Sequence, residues 1–166
     1  MDVSPDVAAR IIKKKAMYGR CIDTKEWDKL DQVMLPDAQL SFRNADGSPL
    51  TVGNTCLVFP SAGSFATFFK RFFAKAQTLH MFSLGELEQT GPDEVKAIWG
   101  MEDEIILRGS AGFVEIRGGG YYHEIWTRKD ADWFLKSLNL YRTYTKTSLV
   151  AKILAALQKY LGFAFY

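Results

Sequence analysis

Four polar side chains stand where the local pattern calls for apolar ones, and each has the chemistry of an acid, a base or an anchor. Asp23 lies in the stretch MYGRCIDTKEWDKLDQVML, residues 17–35, at the joint between two predicted helices, with Tyr18 five residues before it. A carboxylate at such a joint either caps a helix or works on something. His80, one of two histidines, opens a predicted strand and shares a face with Phe82 and Leu84. A histidine there serves packing or proton transfer. Asp103 alternates with Trp99, Met101 and Ile105, while Glu102 and Glu104 point the other way. A carboxylate on an apolar face needs a partner or a task. Arg142 shares the parity of Leu138 and Leu140 and raises the same question.

Other candidates carry less. His123 alternates with Tyr121 and Ile125 and reads as structural. Gly118-Gly119-Gly120 leads into a strand rather than a helix, so it offers no anion site. No nucleophile elbow appears and no ligand spacing suits zinc, so no metal is expected.

The elements that must place these groups follow from periodicity. Ser4 or Asp6 can cap a first helix with Pro5 in its first turn, and Val7, Ile11, Ile12 and Lys15/Tyr18 follow at helical spacing. A second, shorter helix is predicted over 27–34, capped by Thr24 or Asp23 and stopped by Pro36. A strand over 38–42 and a turn at 44–47 come next, then a loop to 63. Ser64 is the expected cap of a third helix with phenylalanines at 65, 68, 69, 72 and 73, a strong amphipathic stripe. Strands are predicted over 80–88 and 95–107, with a short segment at 113–117 and a hairpin of 121–129 with 133–143. Helices followed by an antiparallel meander define an α+β class. Residues 148–166 form an apolar-striped helical tail suited to docking. No linker splits the chain, so 1–166 reads as one domain with a core at 7–145.

Composition narrows the function. The chain has 166 residues, 48% of them hydrophobic and 14% aromatic, enough for a core and for an aromatic-walled cavity. Lysine and arginine number 21 against 19 acids, so no footprint for nucleic acid exists. Lys13-Lys14-Lys15 reads as a solvated helix face. Cys21 and Cys56 form no metal pattern and need not pair; with no signal-peptide pattern and no membrane span, a cytoplasmic protein with reduced thiols is expected.

Tyr18, Asp23, His80, Asp103 and Arg142 together resemble the catalytic pattern of one family. The arrangement is similar to the SnoaL-like, or nuclear-transport-factor-2-like, fold. Residues 21–30, CIDTKEWDKL, resemble the matching stretch of scytalone dehydratase-type enzymes, and the whole set resembles bile acid 7α-dehydratase more closely. The Asp–His pair also resembles that of hexachlorocyclohexane dehydrochlorinase. The resemblance spans roughly residues 7–145, with departures. Positions that carry scytalone dehydratase's second histidine and two tyrosines hold Ile105, Ile22 and Phe42 here, and ketosteroid isomerase's base also maps near Phe42.

The resemblance implies a cone-shaped α+β barrel, with N-terminal helices on a curved antiparallel or mixed sheet. It implies a cofactor-independent dehydratase for a hydrophobic, polycyclic hydroxy-carbonyl compound of steroid, polyketide or terpenoid type. His80 would be the base, Asp23 its orienting partner and Tyr18 a donor to the carbonyl or developing enolate; Asp103 would relay a proton, and Arg142 would anchor a polar end of the substrate or fix Asp103. Phe42, Phe82, Trp99, Met101, Ile105 and Trp126 are the expected pocket walls. An isomerase or cyclase with the same parts, or a non-catalytic binder of a lipophilic ligand, are the alternatives; a binder has no need of a coupled His–Asp pair. A homo-oligomer, trimer or dimer, is expected, with no cofactor.

Overall fold

The computed structural model describes residues 2–161, with side chains as far as Leu157. Helix α1, Pro5–Asp23, starts as its sequence dictates: the Ser4 hydroxyl accepts the Val7 N–H at 3.4 Å, and Pro5 costs nothing in a first turn. Ile11, Lys15, Tyr18, Gly19 and Ile22 form its buried face. Thr24 closes this helix instead of opening the next, because both its N–H and its hydroxyl donate to the Arg20 carbonyl at 2.8 Å.

The expected second helix is only a 3-10 turn, Trp27–Gln32. Strand β1, Met34–Arg43, begins at once, so Pro36 lies inside a strand and stops nothing. Its missing N–H is tolerated because β1 slips register against its neighbour between Met34 and Gln39. The span 48–63 holds a small hairpin, β2 Thr51–Val52 with β3 Thr55–Cys56, and then β4, Val58–Phe59. Helix α2, Ala62–Phe72, is capped by Ser61, whose hydroxyl oxygen accepts the Ser64 N–H at 3.1 Å; Ser64 sits inside the first turn and is not the cap.

The strand expected over 80–88 is two strands, β5 Ala76–Phe82 and β6 Glu86–Gly91. His80 therefore lies within β5 rather than at its start, and Leu84, in the link, is 95% exposed and off the histidine's face. Gly85 is required at the link, because a Cβ there would stand 2.3 Å from the Trp99 ring. Both strands pair with β7, Glu94–Leu107. The segment at 113–117 and the triple glycine merge into one long strand, β8 Glu115–Lys129, which turns at Asp130 and Ala131, both at positive φ, into β9, Asp132–Thr147.

The main sheet runs β4-β1-β9-β8-β7-β5, with β6 also on β7. The predicted meander is its larger part. The rest is β1, parallel to β9, with β4 on its far edge. The class is α+β: helices pack on one face of a curved, mostly antiparallel and unclosed sheet, the cone expected. Phe65 and Phe69 of the stripe are buried against Phe42 and Phe59, and Phe73 against Phe69, with ring centroids 4.8–6.3 Å apart. Helix α3, Leu149–Leu161, buries Ala151 and leaves Leu149, Ile153 and Leu157 exposed. The tail's predicted course over 162–166 falls outside the described residues. Among the described residues no helix is long and apolar enough to cross a membrane. Cys21 and Cys56 are both free.

Candidate active site

Helix α1 can lie close on β5 because residue 19 is glycine: a Cβ there would be 2.7 Å from the Phe82 ring. That approach delivers Asp23, the last helical residue, onto His80. One Asp23 oxygen, Oδ1, lies 2.7 Å from His80 Nδ1 and accepts the Thr78 hydroxyl at 2.9 Å. The other, Oδ2, accepts the His80 backbone N–H at 2.9 Å. A carboxylate accepts only, so Nδ1 carries the proton and Nε2 is the nitrogen left to act as a base. Lys25, at a φ of 64°, bends the chain back and donates from Nζ to the Thr78 hydroxyl at 2.8 Å. Burial works to raise the Asp23 pKa, but the hydrogen bonds from His80 and Thr78 outweigh it and hold the carboxyl below its usual value.

Register builds the next pair. His80 stands opposite Asp103 across β5 and β7, Asp103 opposite Gly118 on β8, and Gly120 opposite Arg142 on β9. Arg142 donates to both Asp103 oxygens, at 2.8 and 2.6 Å, and reaches across the glycines to do so. A Cβ on Gly118 would come 2.5 Å from Arg142 Nη1. Burial lowers the Arg142 pKa, yet the bonds to Asp103 raise it further, so the guanidinium stays charged.

These groups open on one cavity of about 190 Å³. Tyr18, Tyr122, His80, Asp103 and Arg142 belong to its polar lining, with Thr51, Thr145 and Thr147, and Phe42, Phe65, Phe69 and Ile105 belong to its apolar wall. Burial first, and then Tyr122 and the Glu124 charge, push the Tyr18 phenol well above its usual pKa; burial and Asp103 push Tyr122 up as well, against the lowering effect of Arg142 and of its hydrogen bond with Tyr18. Both are therefore neutral donors at physiological pH.

Of the five predicted chemical residues, the structure brings four, Tyr18, His80, Asp103 and Arg142, into one lining. Asp23 stands one layer behind, reaching the cavity through His80. Among the predicted walls, Phe42 and Ile105 line the cavity, but Phe82, Trp99, Met101 and Trp126 do not. Phe82 packs behind Tyr18 and Tyr122 at centroid distances of 6.4 and 6.0 Å, and Met101 lies 4.0 Å from Arg142 Nη1. Trp99 and Trp126 turn their indole N–H groups onto Glu124 at 2.7 and 2.9 Å. They fill the closed end because a buried indole N–H seeks an acceptor.

Sequence reasoning missed Tyr122, Glu124 and Lys15. The first two carry the same signal that marks Asp103, since both alternate with Trp126. Lys15 is 2% exposed and not on a solvated face; its Nζ binds Glu124 Oε1 at 2.5 Å. His123 faces outward and packs edge-on against Tyr141.

The open cone and its topology are those of the SnoaL-like fold, and the chain belongs to that family. The model of the SnoaL-like domain matches residues 6–139. A protein of Gibberella zeae named "Probable cyclase FGR4" is 41% identical over 146 residues, 88% of this chain and 97% of its own. Among solved structures, the Kfla4162 protein of Kribbella flavida superposes with a TM-score of 0.74 at 19% identity, covering 89% of this chain and 97% of its own. The hexachlorocyclohexane dehydrochlorinase LinA-type3 of Novosphingobium barchaimii LL02 does so with a TM-score of 0.65 at 14% identity, over 87% and 89%. The two structures speak for the fold. The family and the cyclase-named relative support an enzyme of the SnoaL type.

Proposed function

We propose that the protein is a cofactor-independent acid–base enzyme that removes a proton next to a carbonyl in a hydrophobic hydroxy-carbonyl compound and eliminates water from it. The observation that supports this most is the Asp23–His80 pair, with Nε2 as the one ring nitrogen free to act and an apolar cavity before it. Nε2 takes the proton from the acidified carbon, and Asp23 stabilises the imidazolium as it forms. The oxygen of the developing enolate is held by the neutral phenols of Tyr18 and Tyr122. The C–O bond then breaks, the C=C bond forms, and the imidazolium proton leaves with the hydroxyl as water. Both Asp103 oxygens are engaged by Arg142, so this route gives Asp103 no proton to relay; the pair braces the wall beside His80.

Cavity size bears on the substrate. For scale, an apolar cavity of about 150 Å³ in another protein holds one benzene. About 190 Å³ therefore suits the reacting ring and its carbonyl, and further rings of a steroid, polyketide or terpenoid would extend outward past Leu50, Thr51 and Val52 of the same lining.

Cyclisation is the second reading, favoured by the name of the 41% identical relative. The same proton transfer would give an enolate whose carbon attacks a second carbonyl in the same molecule; that C=O π bond opens to an alkoxide, which takes the proton back from the imidazolium. Product mass and carbon NMR on a panel of cyclic and open-chain hydroxy-ketones separate the two outcomes. His80→Ala is expected to cut turnover by a factor on the order of 100 or more while the fold survives. Full activity in that variant would overturn both readings.

A further inference from the structure

Behind the cavity lies a charged pair that the proton-transfer chemistry leaves unused. Lys15 and Glu124 are 2% and 3% exposed, and they come from α1 and β8. Glu124 is saturated: Oε1 takes the Lys15 ammonium at 2.5 Å, and Oε2 takes the indole N–H groups of Trp99 and Trp126 at 2.7 and 2.9 Å. The ammonium has a second set of neighbours. Its Nζ lies 3.9 Å from the Tyr122 ring centroid, 4.3 Å from Phe82 and 4.8 Å from Tyr18. The charge that touches the two phenol rings is thus the positive one.

Stability does not explain the pair. Ion pairs taken fully out of water are matched or bettered by apolar residues of the same shape. What the pair does have is position. Two of the three rings around the ammonium are the phenols that line the cavity, and they sit edge to face at 6.3 Å. A cation against the face of a phenol draws on its ring electrons. It strengthens the O–H as a donor and, against the opposing Glu124 and Asp103 charges, favours negative charge on whatever oxygen that donor holds.

We infer that Lys15–Glu124 is a positioning pair for the reaction, its ammonium end clamping Tyr18 and Tyr122 and favouring an anionic oxygen bound between their hydroxyls. This rests on the proposed role of the two phenols toward an enolate oxygen. The partner chemistry it predicts is an oxyanion next to an apolar ring, of which an aryl oxide is a stable mimic.

The probe is 4-nitrophenol, whose ionised and neutral forms absorb at different wavelengths. Bound fraction and ionised fraction are read against pH for wild type, Lys15→Met and the double variant Lys15→Met/Glu124→Gln. The single variant strands a buried carboxylate and can unfold. The double variant keeps the shape and an acceptor for both indoles, and its fold is checked by thermal unfolding. Wild type is expected to bind the anion preferentially, and the double variant to lose about tenfold in affinity for the anion with little change for the neutral form. Equal anion preference in wild type and the folded double variant would overturn the role of Lys15–Glu124 and leave the phenol pair standing. Absence of anion preference in wild type would overturn the oxyanion role of the phenols and this inference with it. Failure of the double variant to fold would assign the pair to structure and overturn the inference alone.

Discussion

Replacing Asp23 by asparagine tests the centre of the site with a change of one atom. Asp23 now accepts three hydrogen bonds, from the Thr78 hydroxyl and His80 Nδ1 at one oxygen and from the His80 backbone at the other. The backbone N–H can only donate, whereas the imidazole can switch tautomer. The asparagine oxygen will therefore turn to the backbone, and its NH₂ will face Nδ1. That forces the proton to Nε2, the nitrogen that must be empty to act as a base. The loss has two parts. A charge-assisted bond to the forming imidazolium is worth roughly 1.5–3 kcal/mol, or about ten- to a hundredfold in rate. A reversed tautomer carries the loss to about 10⁴-fold in a serine-protease triad. Turnover should fall by about 10²- to 10⁴-fold. Two measurements check it: rate on a substrate that His80→Ala fails to turn over, and the His80 tautomer from long-range proton–nitrogen NMR correlations. Wild type should show Nδ1–H and the variant Nε2–H. An unchanged tautomer with an unchanged rate would refute the reasoning, because Asp23 would then be only the end of a helix.

The same carboxylate should also shape the acid arm of stability. Its folded pKa lies below the usual carboxylate value, so the stability it contributes is present above the unfolded pKa and is lost as pH falls through the folded one. The gap in thermal unfolding between wild type and Asp23→Asn is expected to be widest near neutrality and to narrow as pH falls below the ordinary carboxylate range; a constant gap would refute that. Gly118→Ala would set a Cβ 2.5 Å from Arg142 Nη1 and 3.3 Å from the Tyr144 carbonyl oxygen. The guanidinium end is the part that can yield, so unfolding should shift by about 1 kcal/mol while turnover falls about tenfold through the displaced Asp103–Arg142 pair. Unchanged kinetics would separate that pair from the chemistry.

What was legible in the sequence, and what was not, follows the range of the forces involved. Asp103 could be read because two flanking acids fixed its parity and made the third conspicuous. Glu124 obeys the same rule, but parity was followed there through Tyr121 and His123, the outward face. Lys15 is the sharper lesson. Ile11, Lys15, Tyr18 and Ile22 fall at helical spacing, so the period that buries Ile11 also buries Lys15. Its place in a run of three lysines argued the other way, and charge won over period. Lys13 does face solvent, and Lys14 pairs with Asp132 at 2.7 Å. The course of the chain around Pro36 was out of reach for another reason. What holds 34–43 extended is β9, a parallel partner almost 100 residues later, and no local preference reports it. The Ser61 cap and the split between β5 and β6 depend on single hydroxyl and ring positions that propensity cannot resolve.

Three charged pairs cross this one inner face: Asp23 with His80, Asp103 with Arg142, and Lys15 with Glu124. Their sequence separations are 57, 39 and 109 residues. None is local, so none arises from a helix or hairpin satisfying itself. Each ties two elements: α1 to β5, β7 to β9, and α1 to β8. A core seeking stability alone would have filled these places with apolar side chains at no loss. What the pairs add is coordinated placement. On the proposed function, His80 is aimed by the helix that ends at Asp23, the wall beside it is locked by the Asp103–Arg142 pair that spans β7 to β9, and the phenols rest on an ammonium from the same helix, two turns before Asp23. Strand register sets all of it, since a one-residue slip of β7 would turn Asp103 outward and Glu102 or Glu104 into the cavity. A site held on strands and one rigid helix keeps the sub-ångström alignment that proton transfer requires. The α2 phenylalanines and the β2–β3 hairpin carry none of these pairs and are free to set the shape of the substrate.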